Sequence, residues 1–235
     1  SPQNIRQNTS SSASGLSKST SIPSLCAMEA DAGEIDQFRL YVALILKRYA
    51  AGRYLSKNNN NILRLNTVRS SFPEALTLIP YREPEQQAYS LLKQHVRFGE
   101  MHRENLFSAR YMGWLAHHEF GTDHRPFEWG LELSSGLDTR SIDYWVAQWV
   151  GVYRHLLKQI RRHEDAVFPV GYELLCTNTV PLWNSLAGTL GLADTSPPSL
   201  DLRKDDPPAV ADQPLLAQAH ELFDTLQTET RQRIQ

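Results

Sequence analysis

Cysteine is nearly missing from this chain. Cys26 and Cys176 are the only two in 235 residues, far apart and without metal-ligand spacing. That excludes a disulfide framework and a cysteine-rich metal site, and it permits a reducing compartment, read here as the cytoplasm. Long apolar runs are missing as well: residues 42–46 fall short even of a signal-peptide core, so no transmembrane segment is expected. Neither charge sign is in excess. Lys and Arg number 24 against 26 Asp and Glu, a formal net charge of −2, which removes the electrostatic footprint of a nucleic-acid binder. Two motifs fail on inspection. Lys18 has no second glycine before it at Walker A spacing, and His118-Glu119-Phe120-Gly121-Thr122 lacks the second histidine of a zinc-binding HExxH helix. No metal is expected.

What is present fits one α/β domain. A hydrophobic content of 41% and a charged content of 21% are ordinary for a globular chain long enough to bury a sizeable core. Residues 1–30 are rich in Ser, Asn and Gln without hydrophobic period, and read as a disordered or poorly packed segment ahead of a single domain at 31–235. Helical spacing predicts helices over residues 34–49, 60–70, 84–103 and 104–118 (one long broken helix or two), 142–162, 179–190 and 209–233. Buried strands are expected at 76–79 and at 166–170, with Pro169 placing the second near an edge. Residues 194–213, rich in Asp, Ser and Pro, read as a surface connection. Helices alternating with short apolar strands argue for a parallel sheet covered on both faces.

The most informative stretch is residues 57–90. The apolar run Leu76-Thr77-Leu78-Ile79 ends at Pro80-Tyr81-Arg82-Glu83-Pro84, and a helical pattern follows, with Ser90 eight positions after Arg82. Open α/β sheets bind ligands outside the carboxyl ends of their strands. An arginine fork and a hydroxyl placed there suit a phosphate, through two parallel charge-assisted hydrogen bonds and a third from serine. An exposed loop arginine and a surface serine fit the bare pattern equally well.

Strand, Arg82, eight-residue step and Ser90 resemble the 3′-phosphate-binding segment of the sulfotransferases that use PAPS (3′-phosphoadenosine 5′-phosphosulfate). Phe72-Pro73-Glu74-Ala75 is similar to the FPxA turn of the family's bacterial and carbohydrate-directed branches. Tyr54-Leu55-Ser56-Lys57-Asn58-Asn59 resembles its short strand with a Lys-containing end, and Val170-Gly171-Tyr172-Glu173-Leu174-Leu175 its late strand and Tyr-Glu turn. The four segments keep the family's order over roughly residues 35–230. The resemblance implies a three-layer, P-loop-related sandwich with PAPS as co-substrate and a hydroxyl as acceptor, on a carbohydrate by the FPxA turn. It implies Arg82 and Ser90 on the 3′-phosphate, Tyr172 beside the adenine and Lys57 at the sulfuryl group. Asn59 stands where cytosolic members carry the basic histidine. Lacking a titratable proton near neutral pH, it can orient the transferring group but not act as base.

The family's first strand and its RSGT-type loop have one counterpart, Ser14-Gly15-Leu16-Ser17-Lys18-Ser19-Thr20, with a single glycine and no apolar strand before it. The 5′-phosphosulfate loop is therefore expected to be missing or degenerate. The competing expectation is a catalytically silent relative, or the product of a broken gene, serving as a scaffold or nucleotide-binding module. Other residues have blander readings. The i, i+4 aromatics Trp145, Trp149 and Tyr153 read as core, Arg161-Arg162 as a helix end, His117, His118 and His124 as caps or buried hydrogen-bonded groups, and His95 and His102 as a polar helix surface. Asn60 or Asn61 is expected to cap the following helix, with the remaining carboxamides of 58–61 facing the Arg82 crevice.

Overall fold

The computed structural model describes residues 23–192 and 196–234. It is mixed α/β and mostly helical, with a small two-stranded parallel sheet. In chain order the elements are α1 Ala32–Tyr49, a 3-10 turn Asn59–Arg64, α2 Leu65–Ser71, β1 Thr77–Tyr81, α3 Pro84–Glu104, α4 Leu106–Trp114, and a 3-10 turn Glu128–Gly130. They continue with α5 Leu131–Ser134, α6 Ile142–Arg162, β2 Val167–Gly171, α7 Tyr172–Thr177, α8 Thr179–Thr189 and α9 Gln213–Arg233. No helix among the described residues is long and apolar enough to cross a membrane.

Helix α6 is the spine. Ser141 caps it by accepting from the Asp143 amide, and Arg161 and Arg162 close it against the negative end of the helix dipole. Its aromatic stripe is core: Trp145, Trp149 and Tyr153 are buried, with α3 on one side and α9 on another. Full burial of side chains such as Ile160 and Leu226 contributes about 1.5–3 kcal/mol each. Gly151 is required by close approach. A Cβ there would lie 2.2 Å from the Trp129 carbonyl oxygen, where the second 3-10 turn crosses the helix.

The sheet pairs β1 with β2 in the register Thr77↔Val167 to Tyr81↔Gly171. The Thr77 amide donates to the Ala166 carbonyl, so by strand alternation Thr77, Ile79 and Tyr81 face β2 while Pro80 faces away. The same alternation turns Pro169 away from β1. Each proline thus sits where a missing N–H costs no ladder bond. Their carbonyls are taken by hydroxyls: the Tyr153 hydroxyl donates to Pro80 at 2.8 Å, and the Thr230 hydroxyl to Pro169 at 3.3 Å. A hydroxyl from α6 and one from α9 thus bond the outward carbonyls of the two prolines. Sequence reading placed only Pro169 at an edge.

Of the segment read as loosely packed, residues 1–22 lie outside the described residues, and with them the Ser14 to Thr20 run. Residues 25–28 are anchored instead. Leu25 exchanges backbone bonds with Pro126 and Glu128, the Met28 amide donates to Leu63, and the Ala27 amide donates to the Glu128 carboxylate. Backbone pairing with remote elements holds this stretch without hydrophobic period, a constraint no local pattern reveals.

Candidate functional site

Arg82 and Tyr172 each follow the last residue of a strand, Tyr81 of β1 and Gly171 of β2. Because the strands are parallel and in register, their carboxyl ends meet and the two side chains stack. The Arg82 guanidinium carbon lies 4.9 Å from the Tyr172 ring centre, within cation–π range. Arg82 also pairs with Glu173 at 3.7 Å, donates to Gln86 at 3.2 Å and donates to the Arg203 carbonyl. Glu173 in turn accepts from the Glu83 amide at 3.1 Å, tying the start of α3 to the end of β2.

Beneath this pair a polar layer fixes the strand–helix turn. The Arg82 amide donates to the Gln87 carboxamide, which is held by Tyr153 and by the Trp149 indole N–H at 3.1 Å. Burial raises the Tyr153 hydroxyl well above its usual value, so it stays a neutral donor. Aromatic residues assigned only to the core thus also orient the backbone that presents Arg82.

Ser90 is exposed on α3, one turn after Gln86 and three residues before Lys93, so the three share a helix face. Gln86 and Lys93 hold Asp205: Gln86 accepts from its amide and donates to its carbonyl, and the Lys93 ammonium meets its carboxylate at 2.8 Å. The Tyr172 hydroxyl donates to the Asp201 carbonyl and accepts from the Arg203 amide, while Lys204 pairs with Glu83 at 3.5 Å. Residues 201–205 therefore form a strap across the carboxyl ends of both strands. Sequence reading made 194–213 a plain surface connection. Residues 196–212 do lack helix and strand, but 201–205 is pinned over the candidate site.

The strap places an anion at the site. The hydrogen bond from Lys93 holds the Asp205 carboxyl below its usual range, with the charges of Lys93 and Arg82 adding to it. A phosphate arriving at Arg82 and Lys93 must compete with this carboxylate. Asp205→Asn is therefore expected to tighten binding of adenosine 3′,5′-bisphosphate by up to about fivefold, the size of an exposed ion-pair effect. Calorimetry that shows unchanged or weaker binding would remove Asp205 as a competitor.

Lys57 and Asn59 lie elsewhere in the hydrogen-bond pattern. Both are exposed, and the Lys57 ammonium donates to the Asn59 carboxamide at 3.2 Å. Among the described residues no hydrogen bond or ion pair joins either to Arg82, Ser90 or Tyr172. The asparagine run is explained locally. Asn58, not Asn60 or Asn61, caps the 3-10 turn by accepting from the Asn60 amide at 2.8 Å, and the Asn60 side chain is buried. Asn58 thus serves the helix start and Asn59 holds Lys57, and among the described residues no hydrogen bond joins the run to Arg82.

The histidines pack inward. His102 is only 4% exposed and His95 is half-buried, against the polar surface expected of them. Both face the 117–124 loop, where His95 accepts from the Gly121 amide and His102 from that of Thr122. His124 bridges the Glu119 carbonyl and the Tyr144 hydroxyl, each at 2.7 Å. No group of three His, Cys, Asp or Glu arranged to hold a metal ion occurs among the described residues.

Gln86, Lys93 and the strap were missed from sequence. Gln86 carries a local signal, four residues beyond Arg82. The strap carries none, since its contacts with Gln86 span 119 residues. Compared with known proteins, the chain matches no family model, no curated protein and no solved structure, so its own residues carry the functional reading.

Proposed function

We propose that the chain is a sulfotransferase-like domain that binds a 3′-phosphoadenosine nucleotide at the carboxyl ends of β1 and β2. The observation that carries this reading is the meeting of Arg82 and Tyr172 at paired strand ends, beside a carboxylate already held by Lys93. Arg82 and Ser90 take the 3′-phosphate, Lys93 adds charge when Asp205 leaves, and Tyr172 offers its ring to the adenine. The reading implies PAPS as co-substrate, a hydroxyl acceptor, on a carbohydrate by the FPxA turn, and a cytoplasmic setting in which Cys26 and Cys176 stay free. The acceptor oxygen would bond to sulfur as the bond to the bridging phosphate oxygen breaks. Adenosine 3′,5′-bisphosphate then leaves, and the acceptor proton passes to a base. The reading also implies a three-layer, P-loop-related sheet. Any further strand has to reach β1 or β2 past Pro80 or Pro169.

A second reading, a catalytically silent nucleotide-binding relative, is favoured by the Lys57–Asn59 contact, which occupies the one ammonium assigned to the sulfuryl group. The two share the binding step. Contacts to the 3′-phosphate bind ground and transition states alike and do not lower the chemical barrier. Calorimetry should show adenosine 3′,5′-bisphosphate binding more tightly than AMP by roughly 2–4 kcal/mol, the value of paired charge-assisted contacts. Equal affinities would sink both readings. Turnover of labelled PAPS with a hydroxyl acceptor then separates enzyme from silent relative.

A further inference from the structure

On the outer face of α3, beyond Lys93, a groove of about 400 Å³ is lined by Tyr89, Leu92, Lys93, Val96, Arg97 and Glu100, with Arg140 facing them from the turn before α6. The helical residues follow the spacing i, i+3, i+4, i+7, i+8, i+11, so the groove runs along three turns of one helix. Its volume lies in the range of small-molecule sites. Its floor is apolar and aromatic through Tyr89, Leu92 and Val96, and its rim carries three cations against one carboxylate.

Of the three, Lys93 holds Asp205, and the two arginines are not used by the fold in the usual way. Arg161 and Arg233 hold the Glu229 carboxylate, and Arg82 holds Glu173. The Arg97 and Arg140 guanidinium groups, in contrast, form no hydrogen bond or ion pair among the described residues. Arg140 acts at a distance, its charge adding to the burial that keeps His95 neutral. Lys93 sits 4.7 Å over the Tyr89 ring, a cation–π contact. Two unpaired forks above an apolar floor suit a tetrahedral oxyanion joined to an apolar body. Each guanidinium can present two parallel N–H donors to such an oxyanion.

From this arrangement we infer that the α3 groove is a binding site for a phosphate or sulfate monoester with an aromatic or apolar body. The oxyanion lies between Arg97 and Arg140, and the body lies on Tyr89, Leu92 and Val96. Glu100 repels a second negative charge at the far end, which favours a ligand with one anionic group. The site adjoins the Arg82 grip through Lys93, but Arg97 and Arg140 belong to it alone, and its existence does not depend on the nucleotide reading.

The test is titration of the full chain with 4-methylumbelliferyl phosphate and 4-methylumbelliferyl sulfate, followed by fluorescence anisotropy. Competition arms use neutral 4-methylumbelliferone and inorganic phosphate, and the two esters show which oxyanion is preferred. Binding of at least one ester is expected, with affinity falling roughly tenfold or more in the double variant Arg97→Gln/Arg140→Gln. Both arginines are exposed and unpaired, so the double variant should melt like the parent. It should also bind adenosine 3′,5′-bisphosphate as the parent does, which separates this site from the Arg82 grip. Tyr89→Ala should weaken the esters but not inorganic phosphate. Equal ester binding by parent and double variant would overturn the inference. So would umbelliferone binding as tightly as its esters, or inorganic phosphate matching them.

Discussion

Arg82→Gln is expected to weaken binding of adenosine 3′,5′-bisphosphate by roughly thirty- to a thousandfold, the equivalent of about 2–4 kcal/mol. The guanidinium both stacks on Tyr172 and reaches across to the strap. Arg82→Lys should fall between parent and Gln, because an ammonium keeps the charge but loses the fork and much of the ring contact. Loss of Arg82 also leaves Glu173, largely buried, without its cation. The double variant Arg82→Gln/Glu173→Gln removes that complication, since neither side is left with an unpaired charge. If the double variant melts like the parent yet binds the nucleotide equally well, Arg82 is a structural pair and the proposed grip is wrong.

A second large effect should come from acid. Burial pushes the His124 imidazole down to about 4, helped by the neighbouring His95 and opposed by its bonds to backbone carbonyls. Its Nδ1–H donates to the Glu119 carbonyl, so Nε2 accepts from the Tyr144 hydroxyl, an arrangement that requires the neutral ring. Burial likewise lowers His95 and His155. A histidine with a depressed folded value binds its proton first in the unfolded chain. Stability is therefore full above about pH 6.5, falls as pH drops toward 4, and levels off below the folded value. His124 alone accounts for about 3 kcal/mol of that loss. Urea unfolding at pH 7 and pH 4.5 should show the fall, and His124→Gln should reduce it by about half or more. The upper end of this window avoids the carboxylates Asp143 and Glu229, whose lowered values make them titrate further down. A variant with the parent's pH slope would place the sensitivity elsewhere.

Local periodicity was enough for much of the helical framework. Residues 142–162 repeat apolar side chains at helical spacing up to a basic end, and the same bounds appear as Ile142–Arg162. The strand at 76–79, followed by Arg82 and Pro84, was legible because an apolar β-forming run meets a proline that suits the first turn of a helix. The closing helix was placed within a few residues for the same reason. Such signals are short-range. Each depends on neighbours within one or two turns.

Tertiary structure decided what those elements do together. That Tyr172 would lie against Arg82 followed from the pairing of β1 with β2, set by side chains about 90 residues apart. That both outward proline carbonyls are bonded depended on hydroxyls from α6 and α9. That His95 and His102 turn inward depended on a loop twenty or more residues later. That a Pro- and Asp-rich connection carries a carboxylate to Lys93 depended on a contact across 112 residues. The sequence by itself determined the long helices and the two paired strands, because hydrogen bonding and capping there are local; it did not show α5 or α7, and residues 54–59, which resemble a short strand, form none. Which polar groups meet, and so what the strand ends can bind, was decided by packing between segments remote in the chain.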